Sequence, residues 1–230
     1  MESLNLEAID VDGAVREAAD EVAGDTRLSF LRKGAVAGGA ALSGGAILGA
    51  LIPAGAMAAG SGRPPASFGA GDIGVLNYAL TLEYLEAAFY DAAAKNNVAK
   101  GDKQLGQFLK TAKFDEDFHV KLLKGALGSK AAKKPKFNFG KAVSDKATFA
   151  ATAYVLENTG VHAYHGQLLN IQKTAYLVTA AQIATVEARH SGAIGIYLGK
   201  AIAPKPLDTP LPASAILKAV AGTKFIVGLG

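Results

Sequence analysis

Cysteine and tryptophan are absent from this chain, and only two methionines occur. Without thiols there is no disulfide, no thiolate ligand and no iron–sulfur cluster, and cysteine usage leaves the redox compartment open. Charge is also scarce, at 19% of residues. No glycine-rich phosphate loop and no nucleophile elbow is found, which argues against NTPase and hydrolase chemistry. The net charge of +4 hides an asymmetry: residues 1–33 hold eight acids and four bases, leaving an excess of eight bases in residues 34–230. Most of that excess lies between Lys100 and Lys146 with little aromatic interleaving. It reads as a solvated lysine surface, and no nucleic-acid partner is expected.

Residues 1–24 are acidic and only weakly periodic, as expected of a loose leader. Thr26-Arg-Leu-Ser-Phe-Leu-Arg-Lys33 then precedes an uncharged Ala/Gly-rich run from Gly34 to Gly62, which contains Ala56-Met57-Ala58. A basic start, a mild apolar stretch and an Ala-x-Ala site describe an export signal. It resembles a twin-arginine signal, with Leu28 in place of the second arginine. The many glycines argue against a stable spanning helix. The expected organisation is a leader over 1–58, a linker over 59–71, a helical domain over 72–200 and a proline-rich tail over 201–230 that packs on the bundle. The protein is expected to be exported to the periplasm or cell exterior. Membrane contact would be limited to export or to an uncleaved signal.

Four long helical runs fill the domain: Asp72–Asn96 with Asp72 as N-cap, Asp102–Leu127 stopped by Gly128, Asp145–Gln172, and about Ala175–Gly199. The second run points Leu105, Phe108, Leu109, Ala112, Leu122 and Leu123 inward. The first and second runs are closely joined, as are the third and fourth, so each pair forms an antiparallel hairpin. Between the hairpins lie the sixteen residues Ser129–Ser144. Such a segment spans up to about 55 Å extended, more than the roughly 37 Å of a 25-residue helix. One long crossover can therefore run the length of an all-α four-helix bundle. In the tail, Ser214–Ala221 suits a short helix, and the apolar Phe225-Ile-Val packs back.

Glu116-x-x-His119 and Glu187-x-x-His190 each place a carboxylate and an imidazole one turn apart on one helix face. Glu83 and Glu157 sit on the other two helices. Only five glutamates follow residue 62, and four belong to this set, each near mid-helix. One Glu from each of two helices and Glu-x-x-His from each of the other two can hold two metal ions inside a bundle. Burying such carboxylates without cations is costly. Tyr90 and Tyr164 follow Glu83 and Glu157 at the same interval of seven residues. Each is either a hydrogen-bond partner of a ligand carboxylate, with a role in radical or electron relay, or an ordinary core tyrosine. Glu86 and His165 are additional ligand candidates; His162 is read as non-ligating. Gly160 either leaves room for a small oxidant or marks a close helix contact.

This set resembles the ferritin-like di-iron carboxylate superfamily, and the Glu-then-Tyr interval is similar to that of bacterioferritins. Leu76–Tyr90 and the tail Leu207-Asp-Thr-Pro-Leu-Pro212 resemble the bacterial ferritin-like family that includes desiccation-related proteins. The resemblance implies a ferritin-like four-helix bundle holding two Fe or Mn ions, with Glu83 and Glu157 as mainly terminal ligands. Glu116 and Glu187 would bridge, and His119 and His190 would each cap one ion. For the ligand set itself, redox chemistry with O2 or peroxide as small-molecule substrate is the leading expectation, which would make the chain a di-metal oxidoreductase. The alternatives are a metal-stabilised stress or desiccation-related protein without turnover, and a manganese-catalase-like activity, from whose pattern Glu187 departs. A homo-oligomer is compatible with the fold.

Overall fold

The computed structural model describes residues 62–228. The expected export leader, the expected cleavage position near Ala58 and the start of the expected linker lie outside the described residues. Four long helices form the body: α1 (Gly71–Lys95), α2 (Lys103–Leu127), α3 (Lys146–Gln167) and α4 (Thr174–Tyr197). The fold is an all-α four-helix bundle. A fifth helix, α5 (Ala213–Thr223), comes from the tail. No helix among the described residues is long and apolar enough to cross a membrane.

Local sequence sets the helix ends. The Asp102 carboxylate accepts the Leu105 N–H at 3.0 Å and caps α2, while Asp145 accepts from Thr148 N at 2.8 Å and caps α3. Gly128, at φ 55°, ends α2 in a conformation that side chains resist. Asp72 departs from expectation. It lies inside the first turn of α1, after Ala70 in the N-cap position. Its two carboxylate oxygens instead accept the backbone N–H groups of Gln172 and Lys173 at 2.8 and 2.9 Å, tying the start of α4 to the start of α1. Helix α3 ends five residues earlier than expected. Its last turn tightens into a 3-10 turn at Leu168–Asn170, and Ile171 turns into the core.

Packing follows the hairpin logic: α1 lies along α2, and α3 along α4. The crossover runs beside α1 for most of its length. Asn77 near the start of α1 donates to the Lys130 carbonyl and accepts from Ala132 N. Tyr84 donates to the Ala132 carbonyl, and Asn96 just past the end of α1 donates to the Val143 carbonyl. With neighbours on nearly every side, α1 is buried almost all round, whereas α2 keeps an apolar stripe on one face. Leu105, Phe108, Leu109, Ala112 and Leu123 face inward as expected; Leu122 does not, at 37% exposed.

The crossover and tail are more ordered than their composition suggested. Strand β1 (Lys136–Phe137) pairs antiparallel with β2 (Ile226–Gly228), and Phe225 packs edge-on against Phe139. The apolar end of the tail thus docks on the crossover. Further back, Leu211 N donates to the His162 carbonyl at 3.1 Å. This brings the tail so close to α3 that a Cβ on Gly166 would lie 1.8 Å from the Leu211 carbonyl oxygen. Gly166→Ala is therefore expected to destabilise the chain by about 3 kcal/mol, checked by denaturant unfolding. A change under 1 kcal/mol would mean that the tail does not hold this position.

Candidate metal centre

The four helices bring their central glutamates to one level. Glu83, Glu116, Glu157 and Glu187 are each fully buried, and His119 and His190 are 4% exposed. The six side chains sort into two overlapping groups. Glu83, Glu116, His119 and Glu187 form one, and Glu116, Glu157, Glu187 and His190 the other; within each, the candidate ligand atoms lie within 4.8 Å of one another. Glu116 and Glu187 belong to both.

The imidazoles present the same nitrogen inward. His119 Nδ1 lies 3.1 Å from Glu116, 3.2 Å from Glu83 and 3.2 Å from Glu187. His190 Nδ1 lies 3.2 Å from Glu116 and 3.3 Å from Glu157. Most of these approaches lack the alignment of a hydrogen bond. Glu83 Oε2, Glu116 Oε1, Glu157 Oε2, both Glu187 oxygens and His190 Nδ1 are buried with no hydrogen-bond partner among the described residues. Buried polar atoms are rarely left so. A set of inward-facing carboxylate oxygens and ring nitrogens in this state fits divalent cations.

Charge leads to the same reading. Burial and the neighbouring Glu83 carboxylate push Glu116 up to about 8. Burial, with Glu116 and Glu157 opposite, holds Glu187 well above the carboxylate range. Burial also works against ionised Glu83, but contact with His119 outweighs it and keeps Glu83 below the usual value. Burial disfavours a charged His190 ring, yet Glu116 and Glu157 push it up to about 12, and His119 is raised in the same way by Glu116, Glu187 and Glu83. Without cations, protons must neutralise the cluster.

The two tyrosines are buried and both bond to glutamates of the set, but across the molecule. Tyr90 on α1 donates to Glu157 on α3, and Tyr164 on α3 donates to Glu83 on α1. Equal intervals of seven residues match 83 with 164 and 90 with 157 only when the helices run antiparallel. The interval was legible in the sequence; the exchange of partners needed the helix directions. Gly160 marks a close contact: a Cβ there would stand 3.3 Å from Glu187 Oε2. A side chain at 160 would press on a carboxylate shared by both groups.

Two candidate ligands stand outside both groups. His165 is half-buried and joins neither, since eight residues from Glu157 carry it about 80° around the helix. Glu86, one turn beyond Glu83, is 3% exposed, and neither of its oxygens has a partner among the described residues. Burial first, then the Glu187 charge, raises it well above the carboxylate range.

One participant was missed by sequence reasoning. Asp115 accepts from His190 Nε2 at 2.9 Å. That bond places a proton on Nε2, so Nδ1 is the nitrogen available to a cation in the cluster. In the sequence, Asp115 sits in the acidic Asp-Glu-Asp run, where it reads as solvated. The sign that would have found it is the need of a metal-facing imidazole for an acceptor on its other nitrogen. The corresponding position before Glu187 is Val186, so His119 has no matching support from α4.

No curated protein is similar enough to this chain to serve as a relative. Residues 71–200, which span the four helices and every side chain of the cluster, match the family described as ferritin-like domain. The fold, the buried Glu/His cluster and this match together place the chain in the ferritin-like domain family.

Proposed function

We propose that this is an exported ferritin-like protein whose bundle binds two iron or manganese ions and reacts with O2 or peroxide. The observation that carries the reading is the pair of overlapping groups sharing Glu116 and Glu187. By their placement, Glu83 and His119 would serve one ion, Glu157 and His190 the other, and Glu116 and Glu187 both. When bound, two such ions supply one electron each to an oxygen species.

The chain's own groups prepare that chemistry. Tyr90 and Tyr164 each hold one oxygen of Glu157 and Glu83, leaving the other oxygen of each carboxylate turned inward. Asp115 orients His190. Burial of all six candidate ligands keeps bulk water away. Export rests on residues 26–58. Carriage of a folded, metal-loaded domain by a twin-arginine-type route would suit a cofactor inserted before export. The same complete burial favours a second reading, in which the ions stabilise a stress or desiccation-related protein and no turnover occurs.

The test is to load purified protein anaerobically with Fe(II) or Mn(II) and mix it with O2 or peroxide. Rapid ferric absorbance is expected. Sustained O2 evolution would support the manganese-catalase-like alternative instead. Retained metal with neither signal would leave the structural reading standing, and failure to retain either metal would remove all three.

A further inference from the structure

The fold sorts charge between interior and exterior. Residues 62–228 hold 20 Lys or Arg and 12 Asp or Glu. Five of those acids, Glu83, Glu86, Glu116, Glu157 and Glu187, are buried, and among the described residues no Lys or Arg is. The exterior therefore sets 20 bases against seven acids. Helix α2 gathers part of this excess beside exposed apolar side chains.

Buried Leu105, Ala112 and Leu123 mark the inward side of α2. At about 100° per residue, Phe114 then points directly away from the core, and it is 73% exposed. Phe118, 55% exposed, and Leu122, 37% exposed, follow at steps of four along the outward side. Lys103, Lys110 and Lys121 lie within about 40° of Phe114 around the helix, and all three are exposed. Among the described residues no carboxylate pairs with them. Asp117 shares this face, but Lys113 holds it at 2.8 Å. It is the one exposed carboxylate on α2 and α4. Helix α4 packs beside α2 and adds exposed Ala175, Val178 and Ala181.

Single exposed apolar residues are ordinary. Two phenylalanines and a leucine in a row, edged by unpaired ammonium groups, have the make-up of a helix that lies in a membrane interface. There the apolar side chains insert and the lysines reach the level of the phosphates. Charge selects the occupant. A second copy of this chain would set the same bases against one another. A single-stranded nucleic acid could stack on the two rings, but the row ends in aliphatic Leu122, and a convex helix offers no groove to track a strand. A plane of phosphates over hydrocarbon matches both parts of the face.

We propose that the outward face of α2 docks on an anionic phospholipid surface, with Phe114, Phe118 and Leu122 inserted shallowly and Lys103, Lys110 and Lys121 against the phosphates. The contact is peripheral and needs no spanning helix. The proposal goes beyond the metal reading and does not depend on it, since none of these side chains belongs to the cluster.

The chain has no tryptophan, so Phe118→Trp gives the full chain one local reporter. With vesicles of phosphatidylcholine containing about one-third phosphatidylglycerol, its emission should shift to the blue and be quenched by lipids brominated on the acyl chains. Vesicles of phosphatidylcholine alone should bind at least about tenfold more weakly, and raising salt from about 0.1 to about 0.5 M should release the protein. Lys110→Glu combined with Lys121→Glu should weaken binding more than about tenfold. Val155→Trp is the control. Val155 is exposed on α3, diagonally across the bundle from α2, so its emission should not move. The pair of reporters also separates docking by α2 from attachment through residues 1–61. The proposal is overturned if the vesicles are not bound, if they are bound without a shift in Phe118→Trp, if Val155→Trp shifts as much, or if the charge reversals leave binding intact. A shift produced by a single-stranded oligonucleotide or by polyglutamate, and not by vesicles, would overturn it in favour of an anionic polymer.

Discussion

Glu116→Gln should cost the protein both ions, while Glu83→Gln should cost it mainly one. The difference follows from membership: Glu116 lies in both ligand groups and Glu83 in one. Disturbing a group that merely supports a ligand already weakens metal binding about 10- to 100-fold, so removal of a shared carboxylate should exceed about 100-fold at both positions. Glu187→Gln should behave like Glu116→Gln, and Glu157→Gln like Glu83→Gln. The sign of the stability change should depend on metal. In the metal-free chain, Glu116 is a buried carboxyl facing Glu83 and Glu157, which push its proton affinity up. A neutral amide of the same shape removes that repulsion, so Glu116→Gln should melt no lower than the parent. With metal present, the order should invert. Metal content per chain from elemental analysis, paired with thermal melts, checks both halves. Two tightly held ions in Glu116→Gln would show that the two ions do not share Glu116 as its membership of both groups indicates.

The second large effect is the response to metal removal and to pH. Metal at a thousandfold excess over its dissociation constant adds about 4 kcal/mol to stability. For a domain of this size that corresponds to a rise of roughly 10 °C in Tm. The metal-free chain should lose stability as pH rises. Glu116 has a folded value of about 8 against an ordinary 4.5, so its contribution is complete below about 4.5 and is lost as pH climbs through 8. Glu187 and Glu86, also raised, act in the same direction, and the raised histidines extend the loss to higher pH. Glu83, held below its usual value, acts oppositely, losing its contribution only as pH falls below the ordinary carboxylate range. In the loaded chain, protons compete with cations for the same atoms, and stability should rise over the same interval. Calorimetric melts of both forms from pH 5 to 8 should therefore diverge. Parallel curves would mean that protons and metal do not exchange at this cluster.

Much of the centre could be read from residue order because its constraints are local and periodic. Glu-x-x-His is a helix-face pattern, and four glutamates near the middle of four long runs meet in an antiparallel bundle of similar lengths. The crossover was legible from its length alone. What escaped depends on which atoms meet between elements. Asp72 looked like a cap for its own helix, yet its carboxylate serves the start of α4, a hundred residues away. Leu122 fits the inward period of α2 but falls at the exposed edge of the stripe. The short β1–β2 pair gave no pattern to find, because two residues of crossover and three of tail acquire strand geometry only from each other. Asp115 was hidden by its neighbours.

That aspartate separates two halves which otherwise echo each other. His190 leans on a carboxylate from α2, and the mirror position on α4 offers only Val186. One imidazole is braced against rotation and made more electron-rich, while its counterpart lacks that buttress. The likeness of the two halves thus stops short of equivalence. If each half seats a cation, the two seats would differ in rigidity and basicity, and an occupant of one would not be interchangeable with an occupant of the other.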